Sequence, residues 1–166
     1  IYRGELALYI GECSVNQPIT VTVNTLPNAG SITSASSVCE ANTIGLTSTT
    51  AGGTWSSASG TVTISGSTLT GVSAGSAVIT YMVTNGCGTA STNATITVNP
   101  LPNAGSITSS GIVCVGSTIG LTSTSAGGTW SSVSGNVTIT GSTLTGVSAG
   151  SAVLTYMVTN GCGTAS

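Results

Sequence analysis

The chain has 166 residues and a formal net charge of −2, and its only charged side chains are one Arg and three Glu. A single basic residue cannot neutralise the phosphates that nucleic-acid binding requires, so we expect no nucleic-acid partner. Because the sequence contains no His, Lys or Asp, it offers no pair of groups for acid–base or nucleophilic catalysis. We therefore predict a non-enzymatic protein without a cofactor.

The apolar residues do not form a membrane segment. Ser, Thr, Gly and Asn interrupt every apolar run well before the ~20 residues that a spanning helix needs, so we expect no membrane span. The sequence starts inside a predicted strand, without the basic and apolar regions of a secretion signal. We expect any such signal to lie outside this sequence.

The first predicted element is a hairpin in residues 1–25. Its end, Pro-Ile-Thr-Val-Thr-Val-Asn-Thr-Leu-Pro at 18–27, mirrors Ala-Thr-Ile-Thr-Val-Asn-Pro-Leu-Pro at 94–102. We predict that residues 1–25 are the C-terminal hairpin of a preceding, more divergent unit.

A repeat dominates the rest of the chain. Residues 26–91 match residues 101–166 at 55 of 66 positions, and Cys39 recurs 75 residues later as Cys114. A period of this length exceeds solenoid units and fits an array of whole domains, each with its own core. We assign residues 26–100 to a complete first unit and residues 101–166 to a second unit that lacks its last strand.

Short runs of alternating apolar and polar residues predict strands along the first unit. Turn signals separate them, and Asn85-Gly86 is the signature of a tight hairpin with a type I′ turn. With one further strand near Ile32 the count is about seven, which favours an all-β sandwich. The other runs are 44–48, 54–57, 62–64, 68–70, 77–84 and 94–98.

Several motifs resemble a known family across nearly the whole chain. Residues 53–57, Gly-Thr-Trp-Ser-Ser, and residues 67–81 resemble the bacterial immunoglobulin-like group 2 domain. The added motifs at 38–39 and 85–87 are similar to the immunoglobulin-like and PKD-like repeats of large surface proteins of Bacteroidota. The resemblance implies tandem immunoglobulin-like β-sandwich domains that are extracellular or on the cell surface and are secreted by the type 9 route. It also implies service in adhesins, gliding-motility proteins or multidomain extracellular enzymes.

Large apolar residues are few, and their alternation selects the core. We predict that Trp55 and Trp130 are buried, because the third strand of an immunoglobulin-like sandwich usually carries a large core side chain. A sugar-binding role for these two residues is the less favoured interpretation. The other predicted core residues of the first unit are Val62, Ile64, Leu69, Val78 and Tyr81.

The sequence predicts no metal site. Calcium sites need several carboxylates, and the repeats hold only Glu40, which Val115 replaces in the second unit. Zinc is disfavoured because the chain has neither a Cys-x-x-Cys pair nor a His. Intramolecular isopeptide bonds, which stiffen other surface fibres, require Lys and are excluded.

Five cysteines in a secreted β-domain indicate disulfides. One pairing stays within a unit and joins Cys39 to Cys87, and Cys114 to Cys162. The alternative joins Cys39 to Cys162 across the unit boundary. It arises because five predicted strands separate Cys39 from Cys87, and an odd number of antiparallel passes leaves them at opposite ends of a sandwich. Both pairings remain open, and Cys13 is the fifth candidate.

Two Asn residues begin glycosylation motifs. Asn93 lies in Asn-Ala-Thr and Asn136 in Asn-Val-Thr, which makes both candidates for a covalent glycan. A glycan is one way of covering an uncharged surface.

Two functions fit these features. In the first, the array is part of a secreted adhesin or stalk that spaces or displays a distal module, and its partners are the neighbouring repeats of the same chain. In the second, identical chains assemble into an extracellular filament or bundle. The second is favoured by strand edges without a charge that would prevent association. Residues 19–23 would then complete residues 101–166 of a neighbour by strand addition.

Overall fold

The computed structural model describes residues 2–10 and 13–166, and the side chains from Pro18 onward. Fifteen strands and no helix make up the regular structure of these residues, which confirms the predicted all-β class. The described part of the chain accordingly contains no helix with the length and apolarity that a membrane crossing requires. Its first two strands, β1 (Tyr2–Ile10) and β2 (Cys13–Val21), form an antiparallel hairpin.

Seven strands of the first unit lie in two sheets. They are β3 (Ser37–Cys39), β4 (Thr43–Gly45), β5 (Thr54–Ser57), β6 (Val62–Ser65), β7 (Thr68–Gly71), β8 (Gly75–Asn85) and β9 (Gly88–Asn99). One sheet has the order β3-β9-β8-β5, and the other has the order β4-β7-β6. The short β3 runs parallel to the end of β9, whereas all other pairs are antiparallel.

The two sheets share one apolar core. Leu69 of one sheet and Ile79, Ile96 and Val98 of the other are its fully buried side chains. The core forms because alternate residues of a strand point to the same side of the sheet. Of the other residues that we predicted in the core, Val62 and Tyr81 are buried and Ile64 is half-buried.

The prediction for Val78 is wrong, because this side chain is 54% exposed. Its neighbours Ala77 and Ile79 are buried. Strand alternation therefore turns Val78 to the outer face of the sheet.

The strand predicted near Ile32 is reduced to a single bridge with Ser48. Two backbone hydrogen bonds flank this bridge, from the N–H of Thr33 to the Thr47 carbonyl at 2.8 Å and from the N–H of Thr49 to the Ser31 carbonyl at 2.9 Å. The N–H of Thr47 does not extend the ladder, because it donates to the hydroxyl of Ser34 at 2.7 Å. Ser and Thr side chains compete in this way with regular pairing. The seventh strand is instead β3, which contains Cys39.

Trp55 and Trp130, which we predicted in the core, are half-buried. Trp55 packs at the edge of the core, with its ring centroid 4.4 Å from that of Tyr81. Tyr81 takes the deeper position because its hydroxyl is satisfied there. It donates to the Thr50 carbonyl at 2.7 Å and accepts the N–H of Gly53 at 2.8 Å.

The second unit repeats this arrangement with six strands. They are β10 (Thr118–Gly120), β11 (Thr129–Ser132), β12 (Val137–Thr140), β13 (Thr143–Gly146), β14 (Leu154–Asn160) and β15 (Gly163–Ala165). The orders β11-β14-β15 and β10-β13-β12 correspond to β5-β8-β9 and β4-β7-β6. Residues 112–114, which correspond to β3, form no strand.

A groove of about 410 Å³ opens in the second unit. Its walls correspond to the residues that surround Ile96 and Val98 in the first unit, where both side chains are 1% exposed. Without such side chains Val113, Val137 and Leu154 in the walls of the groove are only half-buried.

The β1–β2 hairpin has the same register as the β8–β9 hairpin, since residues that pair in the first correspond to residues that pair in the second 75 positions later. Tyr2 lies opposite Val21, as Ala77 lies opposite Ile96. The apolar side chains at and beyond the end of β2 are exposed, by 47% for Ile19, 48% for Val21 and 67% for Val23.

Candidate functional site at the junction between units

A disulfide joins the two units. Cys39 at the end of β3 is bonded to Cys162, with an S–S distance of 2.02 Å and a Cα–Cα distance of 5.6 Å. Of the two pairings that the sequence leaves open, the structure has the one that crosses the boundary. Cys39 lies opposite Asn99 at the end of β9, whereas Cys87 comes before the start of β9. The 12 residues of β9 span about 40 Å, which is too far for a bond between Cys39 and Cys87.

Cys162 reaches Cys39 because the hairpin tip between β14 and β15 lies on the linker that follows β9. The side-chain amide of Asn160 donates to the carbonyl of Pro100 at 3.0 Å. The Asn160 Oδ1 atom accepts the N–H of Cys162 at 2.8 Å. One Asn side chain therefore binds the linker and orients the cysteine.

The same hairpin tip in the first unit corrects the predicted type I′ turn. The loop residues Gly86 and Cys87 both have negative φ, whereas a type I′ turn needs positive φ at both positions. The Asn85 side chain explains the difference, because its Oδ1 atom accepts the N–H of Cys87 at 2.8 Å and stabilises a different turn.

The turn after Cys39 is fixed against β7. The Cys39 carbonyl accepts the N–H of Asn42 at 3.1 Å, and Ala41, at a φ of 60°, donates to the Gly71 carbonyl at 2.9 Å. A Cβ atom at Gly71 would lie 2.7 Å from the Cys39 carbonyl oxygen, so only Gly allows this approach. The position of Cys39 thus depends on the core strand beside it.

Glu40, which the sequence suggested only as a possible calcium ligand, lies at the junction. Its carboxylate accepts the N–H of Ala74 at 2.6 Å and the N–H of Leu101 at 3.4 Å, and its own N–H donates to Asn99 at 3.0 Å. Glu40 therefore ties the first unit to the linker. The signal in the sequence was the position of the only charge within the repeats, next to a cysteine.

The remaining candidates do not gather at one place. Cys87 and Cys114 are exposed and unbonded in the described part of the chain, and the side chain of Cys13 lies outside it. Asn93 is exposed on β9. Asn136 is half-buried, and its amide group donates to Ser151 at 3.4 Å, which makes it the less accessible glycan candidate. Among the described residues no three His, Cys, Asp or Glu side chains come together as a metal site requires.

A covalent bond, a docked hairpin tip and an anchored linker meet at this junction. Comparison of the sequence with protein-family models and with curated proteins finds no match. The resemblance to bacterial immunoglobulin-like repeats therefore depends on the motifs alone and stays a prediction.

Proposed function

We propose that the chain is a segment of a secreted structural array, which acts as a stalk or adhesin shaft and holds a distal module away from the cell. The observation that carries this proposal is the Cys39–Cys162 bond across the unit boundary. A bond within a unit would stabilise one fold, whereas this bond fixes the spacing of two folds. Fixed spacing is what a stalk supplies.

The strand order supports immunoglobulin-like sandwich domains as the units of this array. In immunoglobulin constant-type domains the second, fifth and fourth strands are neighbours in one sheet, and the third, sixth and seventh form the other. The orders β4-β7-β6 and β5-β8-β9 follow the same rule when β3 is counted as the first strand. The position of β3 departs from it, because β3 pairs with β9 and not with β4. Tandem domains of this type suit a role as spacers.

The disulfide also agrees with an extracellular location. Disulfides persist in oxidising compartments and are rare in the reducing cytosol. The bonded cysteines are only half-buried, so a reducing solution would reach them. An antibody against the chain that labels intact cells would test the surface location directly.

The bond changes how the chain carries tension. When the ends of the chain are pulled apart, the covalent path runs to Cys39, crosses the bond and continues from Cys162. The segment between them, 123 residues in sequence separation, carries no tension while the bond is intact. Such a stalk resists extension even when a unit loses its fold.

Single-molecule pulling on the chain, with handles at both ends, tests this function. The oxidised chain should extend only by the residues outside the disulfide loop. Reduction should add an extension of up to about 400 Å, the length of 123 extended residues. The Cys162→Ser variant should extend fully without reductant, and Cys87→Ser should behave like the parent chain. Equal extension before and after reduction would contradict the proposal.

A filament of identical chains is the second candidate. The groove of the second unit has the walls that surround a strand in the first unit, and the exposed Ile19, Val21 and Val23 recur at a spacing of two residues. The 19–23 segment of a second copy would fill the groove by strand addition. Sedimentation at rising concentration should then show oligomers, and Val21→Asp should abolish them. A monomer at all concentrations would exclude this candidate.

A further inference from the structure

Both bonded cysteines have counterparts one repeat away. Cys162 corresponds to Cys87, and Cys39 corresponds to Cys114, and both counterparts are exposed and unbonded. We propose, building on the array function above, that these two thiols are halves of further junctions of the same kind. We call the cysteine in the hairpin tip, Cys87 or Cys162, the tip cysteine, and the cysteine in the equivalent of the Cys39 turn, Cys39 or Cys114, the turn cysteine. In this proposal Cys114 bonds the tip cysteine of one further unit, and Cys87 bonds the turn cysteine of another.

Cys87 already has the surroundings of the bonded cysteine. Its Sγ atom lies 3.7 Å from the Asn24 carbonyl oxygen, and the corresponding distance at Cys162 is 3.8 Å. The side-chain amide of Asn85 donates to the Thr25 carbonyl at 3.0 Å, the same distance as for its counterpart in the second unit. The tip is therefore docked on a linker, with its thiol exposed, before a partner is present.

Cys114 lies in the same folded turn as Cys39. Its carbonyl accepts the N–H of Ser117 at 3.0 Å, and Gly116 donates to the Gly146 carbonyl at 2.8 Å, against 3.1 and 2.9 Å in the turn of Cys39. A Cβ atom at Gly146 would lie 2.6 Å from the Cys114 carbonyl oxygen, which is the same close approach as in the first unit. The turn thus holds the backbone of Cys114 in place without a partner, and the thiol is exposed.

The partner that fits Cys114 is the hairpin tip of another unit of this repeat. The tip sequence Asn-Gly-Cys-Gly is identical at 85–88 and 160–163, and one of these tips forms the existing junction. In the existing junction, Gly161 and Cys162 of the hairpin tip line the space between Cys39 and the linker at Asn99 and Pro100. A tip of the same sequence presents the same thiol and the same Asn amide to Cys114.

Each new bond requires an oxidant. Two thiols lose two protons and two electrons when they form one disulfide, and a disulfide reagent accepts them by exchange and leaves as two thiols. An oxidising compartment supplies such a reagent.

The bonds would overlap along the array. Equivalent bonds start 75 residues apart, whereas each spans 123 residues, so each loop begins inside the preceding one. Every unit is then held by two disulfides to its two neighbours. The array behaves as an interlocked tether in which the unfolding of any unit adds little length.

The test adds one repeat to the full chain. Ser166 corresponds to Ser91, so a copy of residues 92–166 appended after Ser166 continues the period. In the appended copy a Thr159→Ser substitution marks the tip peptide by mass. The reduced protein is oxidised with glutathione disulfide, free thiols are alkylated, and the disulfide-linked peptides are mapped by mass spectrometry.

We expect Cys114 to be bonded to the appended tip cysteine in most molecules, beside the Cys39–Cys162 bond, with Cys87 alkylated. Replacement of the appended tip cysteine by Ser should make Cys114 fully alkylatable. If Cys114 is alkylated, or if it bonds Cys87, this inference is wrong. The proposed function would still be supported in that case, provided that the Cys39–Cys162 bond forms. Loss of the Cys39–Cys162 bond itself would overturn both.

Discussion

Cys39 and Cys162 are bonded across a separation of 123 residues, and the loop that they close contains most of both units. In the chain-entropy model, closing a loop of this size stabilises the folded state by about 5 kcal/mol. We expect Cys162→Ser to lower the free energy of unfolding by up to this amount in denaturant titrations under oxidising conditions.

The matched control is Cys87→Ser, which changes the equivalent cysteine of the first unit. Because Cys87 is unbonded in the described part of the chain, its replacement should leave the unfolding curve unchanged. Equal curves for the two variants would mean that the bond does not couple the units.

Glu40→Val copies the residue of the second unit into the first and removes both hydrogen bonds of the carboxylate. Hydrogen bonds to a charged group contribute about 1.5 to 3 kcal/mol, and less at a half-exposed position such as this one. We expect faster amide hydrogen exchange at Ala74 and Leu101. Glu40→Gln, which keeps an oxygen acceptor, should have a smaller effect, and unchanged exchange at both amides in Glu40→Val would show that Glu40 does not hold the linker.

Gly53→Ala should destabilise the first unit. The added Cβ atom would lie 2.5 Å from the Tyr81 ring and 2.6 Å from the Met82 carbonyl oxygen. Because the Met82 oxygen belongs to the backbone of a strand, it cannot move away as a flexible side chain could. Overpacking of this kind costs about 1 to 3 kcal/mol. Denaturant titration followed by Trp fluorescence measures the change. Gly60→Ala, where nothing lies within 4 Å, is the control and should behave like the parent chain.

The sequence predicted most strands of the fold because each alternates over a clear run. It failed at Val78, which was assigned to the core together with Tyr81, although strand alternation puts residues three positions apart on opposite faces of the sheet. It also failed near Ile32, where the pairing stays a single bridge because the N–H of Thr47 donates to the Ser34 hydroxyl and not to a backbone carbonyl. Local pattern does not reveal such competition.

The junction was only partly predictable. Counting strands placed Cys39 and Cys87 at opposite ends and made the bond to Cys162 one of two options. The roles of Glu40 and Asn160 were not predictable, because each depends on a contact between residues about 60 positions apart, at 61 for Glu40 with Leu101 and 60 for Asn160 with Pro100. Such contacts follow from how two folded units meet.

Asn160 affects how readily the Cys39–Cys162 bond forms. Asn160 binds the linker through its amide and holds the N–H of Cys162 through its oxygen, so it orients the tip thiol toward Cys39 before the bond exists. Each hydrogen bond contributes about 1 kcal/mol, and loss of both would lower the equilibrium constant for disulfide formation by a factor of about 30. We expect Asn160→Ala to shift the Cys39–Cys162 bond toward the thiols by this factor in a glutathione redox buffer, as measured by alkylation and mass spectrometry. Asn85→Ala removes the same contacts from the first unit, where the tip carries the unbonded Cys87, and should leave the equilibrium unchanged. Equal shifts in both variants would mean that Asn160 acts on general stability and does not position the thiol.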